Sequence, residues 1–290
     1  MQFALQRKSI LFLTAFNAMC RILGYLGPQI SLDRLVTKPD HSMVVQSYKP
    51  KELDNAVLNG DGFGFGWHGS DAGAPPFVYR HILPMWNDRN LDDLCRYIRS
   101  QNFVVNLRSA TSKMPVDFSN CQPFAYRNLL FVHNGLIENF FNSLQRPIRE
   151  MLCDKAYRSI KGLTDSEHIF ALLVHHLEMH PGIDPAEALH KTMTKIIDLA
   201  KQHNVRVAAN IILSLSAAEA TDPPNRLIAL RYDNQQQAPS FYLLKDSERF
   251  PKSVILTSEA LFEADWQPYT QGELVSIDSD LQMTTHGELK

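Results

Sequence analysis

An α+β fold, with strands before and after a central helical block, is what this sequence predicts, and three observations predict it. Strand-like runs dominate up to about Gly135, two amphipathic helical patterns occupy 164–203, and strand-like runs return after His203. The 290 residues, 44% of them hydrophobic and 21% charged, suffice for a substantial core and fit one large domain.

The elements follow in chain order. The runs 63–67, 76–79, 103–107 and 129–133 are rich in β-branched and aromatic residues and are bounded by Gly, Pro, Asn and Ser, the composition of strands. Between the second and third, 91–100 is a short helical candidate. Thr164-Asp165-Ser166-Glu167 has capping-box spacing, which places the Thr164 hydroxyl for the backbone N–H of Glu167 and lets the Glu167 side chain reach back. Behind it Ile169, Phe170, Leu172, Leu173 and Leu177 recur at helical spacing until Pro181-Gly182 closes the helix. Asp184-Pro185 opens a second helix with Leu189, Met193, Ile196, Ile197 and Ala200 on its apolar face. Strands are then predicted at 205–215, 227–232, 241–244, 254–257 and 274–277, with 221–225 as a loop. With no internal repeat or low-complexity linker, residues 20–290 read as one domain and residues 1–19 as an extension or removable leader.

Composition excludes several function classes. A net charge of −2, with no basic stripe interleaved with aromatics, gives no case for nucleic acid. No apolar run is long enough to span a bilayer. Cys20, Cys95, Cys121 and Cys153 form no C-x-x-C pair, so neither a zinc site nor a disulfide framework is indicated, and a reduced, cytoplasmic protein is expected. His176 and His180 lie one helical turn apart next to His175, but no glutamate stands where a zinc protease needs one; a solvated helix face is the plainer reading, and no metal is assigned. Gly62-Phe63-Gly64-Phe65-Gly66 lacks the Lys-Ser/Thr and the following helix of a phosphate loop, so close backbone packing accounts for it.

Chemistry concentrates in four segments. Cys20 follows Met19, and if Cys20 were the first residue of the mature chain its α-amine, of pKa about 7.7 to 8.0, could take the proton of a thiol of pKa about 8.5. The preceding residues place Arg7 and Lys8 before a short apolar stretch, a poor signal peptide; a misassigned start or removed propeptide is the first reading, a targeting segment the second, a retained arm the third. Arg108-Ser109-Ala110-Thr111 brings an arginine fork and two hydroxyls to a strand end, suited to a substrate carboxylate, although a surface ion pair would use the same arginine. Asn134-Gly135 offers two neutral donors for an oxyanion, and by itself equally reads as a turn. Asp165, in the first turn of the capped helix, could meet a substrate ammonium or serve only the helix dipole.

Taken together, Met19-Cys20-Arg21, Asn59-Gly60-Asp61-Gly62-Phe63-Gly64, Arg108-Ser109-Ala110-Thr111, His133-Asn134-Gly135 and Thr164-Asp165-Ser166-Glu167 stand in the order and approximate spacing of the class II glutamine amidotransferases, a family of N-terminal nucleophile hydrolases that the chain resembles over nearly all of 20–290. The resemblance implies a four-layer αββα sandwich and a small-molecule γ-glutamyl substrate, with no cofactor. It also implies Cys20 as nucleophile, Asn134 and Gly135 as oxyanion hole, Arg108 and Asp165 as holders of the glutamyl α-carboxylate and α-amine, and Ser109 and Thr111 beside them on the substrate side. Gln46-Ser47-Tyr48-Lys49-Pro50, Leu83-Pro84-Met85-Trp86-Asn87-Asp88, Met114-Pro115, Thr257-Ser258-Glu259 and Trp266 resemble the ergothioneine-biosynthesis amidohydrolases, which remove glutamate from γ-glutamyl hercynylcysteine sulfoxide. Tyr48 and Trp86 could face its trimethylated leaving group by cation–π contact, core packing being the plainer role for each. Ser112 and Gln122 stand where wider relatives often carry His, and Cys121 is a second thiol without a terminal amine. Two alternatives remain: a glutaminase subunit handing ammonia to a separate synthetase, and a catalytically silent binding protein whose residues 1–19 block the Cys20 amine.

Overall fold

The computed structural model describes residues 20–52, 58–69, 74–109, 115–217 and 225–290. The strands are β1 (Arg21–Ser31), β2 (Phe63–Trp67), β3 (Phe77–His81), β4 (Arg99–Leu107), β5 (Phe124–Tyr126), β6 (Leu129–Ile137), β7 (Val207–Leu215), β8 (Arg226–Asp233), β9 (Tyr242–Ser247), β10 (Phe250–Thr257), β11 (Gln267–Pro268), β12 (Glu273–Asp278) and β13 (Met283–Glu288). The helices are α1 (Asp33–Val36), α2 (Met43–Tyr48), α3 (Leu91–Tyr97), α4 (Gln145–Met151), α5 (Asp154–Ser159), α6 (Asp165–Met179) and α7 (Pro185–His203).

The strands form two antiparallel sheets, in the orders β11-β9-β10-β1-β4-β2-β3 and β13-β12-β8-β7-β6-β5. Successive side chains in a strand point to opposite faces, and the buried residues divide accordingly. Ile22, Val104, Val132 and Ile212 meet between the sheets. Leu23, Phe103 and Val105 turn outward to pack with Leu35, Met43 and Cys95 of α1–α3. Phe131, Ile211 and Leu213 turn outward from the other sheet toward Leu172, Leu173, Leu189 and Met193 of α6 and α7. The layers are therefore helix, sheet, sheet, helix, the αββα sandwich that the family resemblance implies.

Local signals mark both long helices correctly. Thr164 caps α6 by accepting from Glu167 N at 3.1 Å, and Asp184 caps α7 by accepting from Ala186 N at 2.7 Å. The second half of the capping box does not form. Glu167 instead accepts from Lys161 N and Gly162 N, both at 2.7 Å, because the preceding loop folds back over the helix start and offers two amides nearer than its own cap. The expected helix at 91–100 stops at Tyr97, since Arg99 already belongs to β4. The glycine-rich strand β2 packs closely, as expected: a Cβ on Gly64 would stand 2.2 Å from the Gln122 carbonyl oxygen. Most of the 221–225 loop lies outside the described residues.

Candidate active site

The site is built where β1 begins, β4 and β6 run past it, and α6 starts. Cys20 stands one residue ahead of β1, and Arg21 pairs with Leu107, so the thiol lies at the end of β4 that leads into Arg108. The Cys20 Sγ approaches the Ser109 carbonyl oxygen at 3.9 Å. Burial pushes the thiol above its ordinary range; a backbone hydrogen bond from Ser109 and the charges of Arg108 and Arg21 act in the opposite direction, while the Asp165 carboxylate adds to the rise. Arg108 and Asp165, the opposite charges suited to an amino-acid head, thus both act on this thiol.

Arg108 is 4% exposed and is not on the surface. Its guanidinium donates to the Asp61 carbonyl at 3.0 Å and the Pro115 carbonyl at 3.4 Å, while its backbone exchanges bonds with Asp61 N and Gly62 O. The Asn59-to-Gly62 turn is therefore the mould that fixes this arginine, and the Ser109 hydroxyl donates to Leu58 O on the same segment at 3.4 Å. Thr111 lies outside the described residues. Asp165 accepts from Ser166 N at 2.7 Å and from Ile137 N at 2.8 Å, tying the start of α6 to the end of β6.

Asn134-Gly135 is not a turn. β6 continues through it to Ile137, pairing Asn134 with Asn210 and Gly135 with Ala209. Asn134 alternates with Val132 and so faces the space between the sheets, 1% exposed. Its Nδ2 lies 3.5 Å from Ser258 Oγ, and its Oδ1 has no partner among the described residues. Gly135 is required by close approach: an added Cβ would stand 2.0 Å from the Ala208 carbonyl oxygen and 2.6 Å from the His133 ring.

Several contributors have roles that a sequence reading does not assign. Ser258 Oγ accepts from Ile22 N at 3.0 Å, and Ser258 N donates to Ile22 O at 3.0 Å. Glu259, 1% exposed, accepts from Arg21 Nε at 2.7 Å, His41 Nε2 at 2.6 Å, Lys51 N at 2.8 Å and Glu52 N at 3.2 Å. These donors hold its carboxyl down at about 2 although burial opposes the charge. Arg21 in turn donates from Nη1 to the Cys20 carbonyl at 3.0 Å, so Glu259 fixes the residue that follows the thiol. Gln122 uses both ends of its amide on the backbone of His133, accepting from its N–H at 2.6 Å and donating to its carbonyl at 3.0 Å, which props β6 beside Asn134. The signal for Ser258 and Glu259 is a polar pair directly behind an apolar strand; their partners lie more than 200 residues away, beyond any local pattern.

Other expectations resolve as follows. Tyr48 and Trp86 are not core residues: they are 46% and 38% exposed and meet edge to face, with ring centres 6.0 Å apart. Trp86 lies over Gly60, on the turn that moulds Arg108. Cys121 is buried, its thiol toward the carbonyl oxygens of His81 and Asp117, each at 3.6 Å. His180 is exposed as expected, whereas His175 and His176 are half-buried, Cys153 N donating to His175 Nδ1 at 3.0 Å and His176 facing His190 and Lys191 of α7. Among the described residues no group of three or more His, Cys, Asp or Glu is disposed to hold a metal ion, and no helix is long and apolar enough to cross a membrane.

Comparison with known proteins gives a concordant picture. The chain is 29% identical over 294 residues to the probable glutamine amidotransferase DUG3 of Saccharomyces cerevisiae, covering 89% of this chain and 82% of the relative. It is 35% identical over 138 residues to the gamma-glutamyl-hercynylcysteine sulfoxide hydrolase of Mycobacterium tuberculosis, covering 48% of this chain and 58% of that protein. Among solved structures, a glutamine aminotransferase class-II domain protein from Silicibacter pomeroyi superposes with a TM-score of 0.64 at 25% identity, covering 93% of this chain and all of that one. The glutamine phosphoribosylpyrophosphate amidotransferase of Bacillus subtilis, at 12% identity and a TM-score of 0.59, shares the fold over 92% of this chain and 49% of its own. With the family model for class-II glutamine amidotransferases matched over residues 37–288, this chain belongs to that family of cysteine-dependent amidohydrolases with the N-terminal nucleophile hydrolase fold.

Proposed function

We propose that the chain hydrolyses a γ-glutamyl amide through a thioester on Cys20, and that γ-glutamyl hercynylcysteine sulfoxide is its substrate. The observation that carries the hydrolytic reading is the pair of opposite charges beside one thiol: Arg108, moulded by backbone carbonyls, and Asp165, at the start of α6. In this reading Arg108 takes the substrate α-carboxylate and Asp165 its ammonium, which leaves the γ-carbonyl to Cys20, with Ser109 and Thr111 as further substrate-binding residues. Sulfur attacks that carbon, and the thiol proton passes through the Cys20 α-amine, once residues 1–19 are gone, to the leaving nitrogen. The C–N bond breaks as the C–S bond persists. Water then cleaves the thioester and glutamate departs. Asn134 and the Gly135 N–H meet the oxyanion in both halves. Burial of the thiol makes this local base necessary, since it lowers the thiolate fraction at neutral pH.

The choice of leaving group rests on the Tyr48–Trp86 pair, two exposed rings beside the arginine turn, and on the likeness to the mycobacterial hydrolase. A trimethylammonium over these rings would gain cation–π attraction without losing a buried partner. The longer likeness to a probable glutamine amidotransferase favours a second reading, in which glutamine is the substrate and ammonia passes to a separate synthetase. Glutamate release from both compounds, by protein whose first residue has been established by mass, tests the two. Preference for the sulfoxide, with Trp86→Ala raising its KM by roughly threefold to thirtyfold and leaving the glutamine KM alone, is the expected result. Preference for glutamine selects the second reading. Turnover by Cys20→Ala would remove the thioester from both.

A further inference from the structure

Buried hydroxyl and amide groups leave their hydrogen-bonding capacity unused only at a cost, and one such mismatch lies against the residue read above as the oxyanion donor. Ser258 is fully buried, and its Oγ already accepts from Ile22 N at 3.0 Å. That bond occupies a lone pair and leaves the hydroxyl proton free to be donated. As placed, Asn134 Nδ2 donates to the second lone pair of that oxygen, at the long separation of 3.5 Å. On the far side of the same amide, Oδ1 is buried with no partner among the described residues. One contact is thus long, and one buried acceptor lacks a donor among the described residues. The two ends of a carboxamide have nearly the same shape, so a half-turn about its last bond replaces the long contact and offers Oδ1 to the hydroxyl proton. Ser258 O–H then donates to Oδ1, and Nδ2 is presented on the side away from Ser258.

The orientation matters chemically. An oxyanion is stabilised by a donor, and an amide that offered Oδ1 instead would repel it. We infer that Ser258 is a positioning residue: its hydroxyl, oriented by the backbone of the strand that begins after Cys20, holds the Asn134 amide with its NH2 group outward as an oxyanion donor. The inference rests on the reading of Asn134 given above and adds to it a single hydroxyl shared between the nucleophile's strand and the donor's side chain. Ser258 itself touches no reacting atom.

The test is a double-mutant cycle on the hydrolysis of glutamine and of a γ-glutamyl anilide by the protein with Cys20 as its first residue. Asn134→Ala is expected to lower kcat by ~10²- to 10³-fold. Ser258→Ala, which releases the amide without removing it, is expected to lower kcat by about tenfold or more while KM stays within about twofold, since the lost interaction forms only in the transition state. The double variant is expected to be no slower than Asn134→Ala, because without the amide there is nothing left to orient. Full multiplication of the two single effects would overturn the inference, since Ser258 would then act only through the strand. An unchanged kcat in Ser258→Ala would overturn it as well, with the oxyanion reading left standing. A small effect of Asn134→Ala overturns both. Should Ser258→Ala fail to fold, Ser258→Cys fills the site with a slightly larger group, donates weakly and carries the same expectations.

Discussion

Replacing Glu259 tests how the nucleophile's strand is anchored. All four groups on its carboxylate are positioned as donors: Arg21 Nε and Glu52 N on one oxygen, His41 Nε2 and Lys51 N on the other. Glu259→Gln looks conservative and is not, because an amide offers an acceptor to one side only and turns its own N–H groups toward the donors on the other. Two routes to the magnitude agree. A carboxyl held at about 2, against an ordinary value near 4.5, corresponds to roughly 3 kcal/mol of preference for the charged form. Removing one partner of a buried ion pair costs about 3–5 kcal/mol. The arginine and glutamate here are 2% and 1% exposed, so solvent screening takes little away. Urea unfolding at pH 7 should therefore show a lower midpoint with an unchanged slope, and a loss of about 3 kcal/mol for Glu259→Ala with nearly as much for Glu259→Gln. The native carboxyl pKa is depressed, so this stabilisation is complete above about 4.5 and disappears as pH falls toward about 2; the variants should lack that acid-sensitive component. A Glu259→Gln protein within about 1 kcal/mol of the parent at pH 7 would show that the carboxylate charge is not what organises this cluster.

Two further outcomes are expected. Gly135→Ala should fail to accumulate as folded protein or should melt far below the parent, because the new methyl would meet the Ala208 carbonyl oxygen on the paired strand, and backbone in mid-sheet has little room to retreat; near-parental melting would mean that β6 and β7 separate easily. His68 and His168 are buried, and desolvation holds each imidazole down at about 4, so the unfolded chain takes up protons first. Stability should therefore be complete above about pH 6.5 and decline as pH falls toward about 4, with a flatter profile in His168→Gln, measured as urea midpoint against pH.

Much of the fold is legible in the sequence where a signal is local. The caps at Thr164 and Asp184, the apolar stripes behind them and the strands after His203 depend on neighbours a few residues apart, and they stand where the pattern puts them. β1 escapes because Gly24, Gly27 and Pro28 read as loop residues, and its strand conformation is imposed by β4 and β10 on either side. The short helices α4 and α5 escape because each presents too few turns for a periodic stripe and is held by packing on α6. Asn134-Gly135 carries a turn signature, yet it lies in mid-strand, in register with Asn210 and Ala209 of β7. At the site, Cys20, Arg108 and Asp165 are visible as motif residues, whereas Ser258 and Glu259 find partners more than 200 residues away and Gln122 acts through the backbone of His133, and no spacing rule encodes those contacts.

The space between the two sheets carries amide and hydroxyl groups as well as hydrocarbon. At the end of β4 away from Arg108, Asn102 Nδ2 donates to Leu215 O at 2.7 Å, Ser214 donates to Asn102 Oδ1 at 2.7 Å, and His68 Nε2 lies 2.9 Å from Ser214 Oγ. Two smooth apolar faces could settle against each other at several neighbouring alignments for similar free energy. A directional bond tolerates only one. This seam acts as a rivet, fixing one plate against the other about six residues, roughly 20 Å, from Arg108. It gives the molecule a lever arm: a slip at the rivet is transmitted along a stiff ladder to the gap between Cys20, carried by one plate, and Asn134, carried by the other. Loss of alignment there would cost the seam its buried bonds and leave the site poorly aimed.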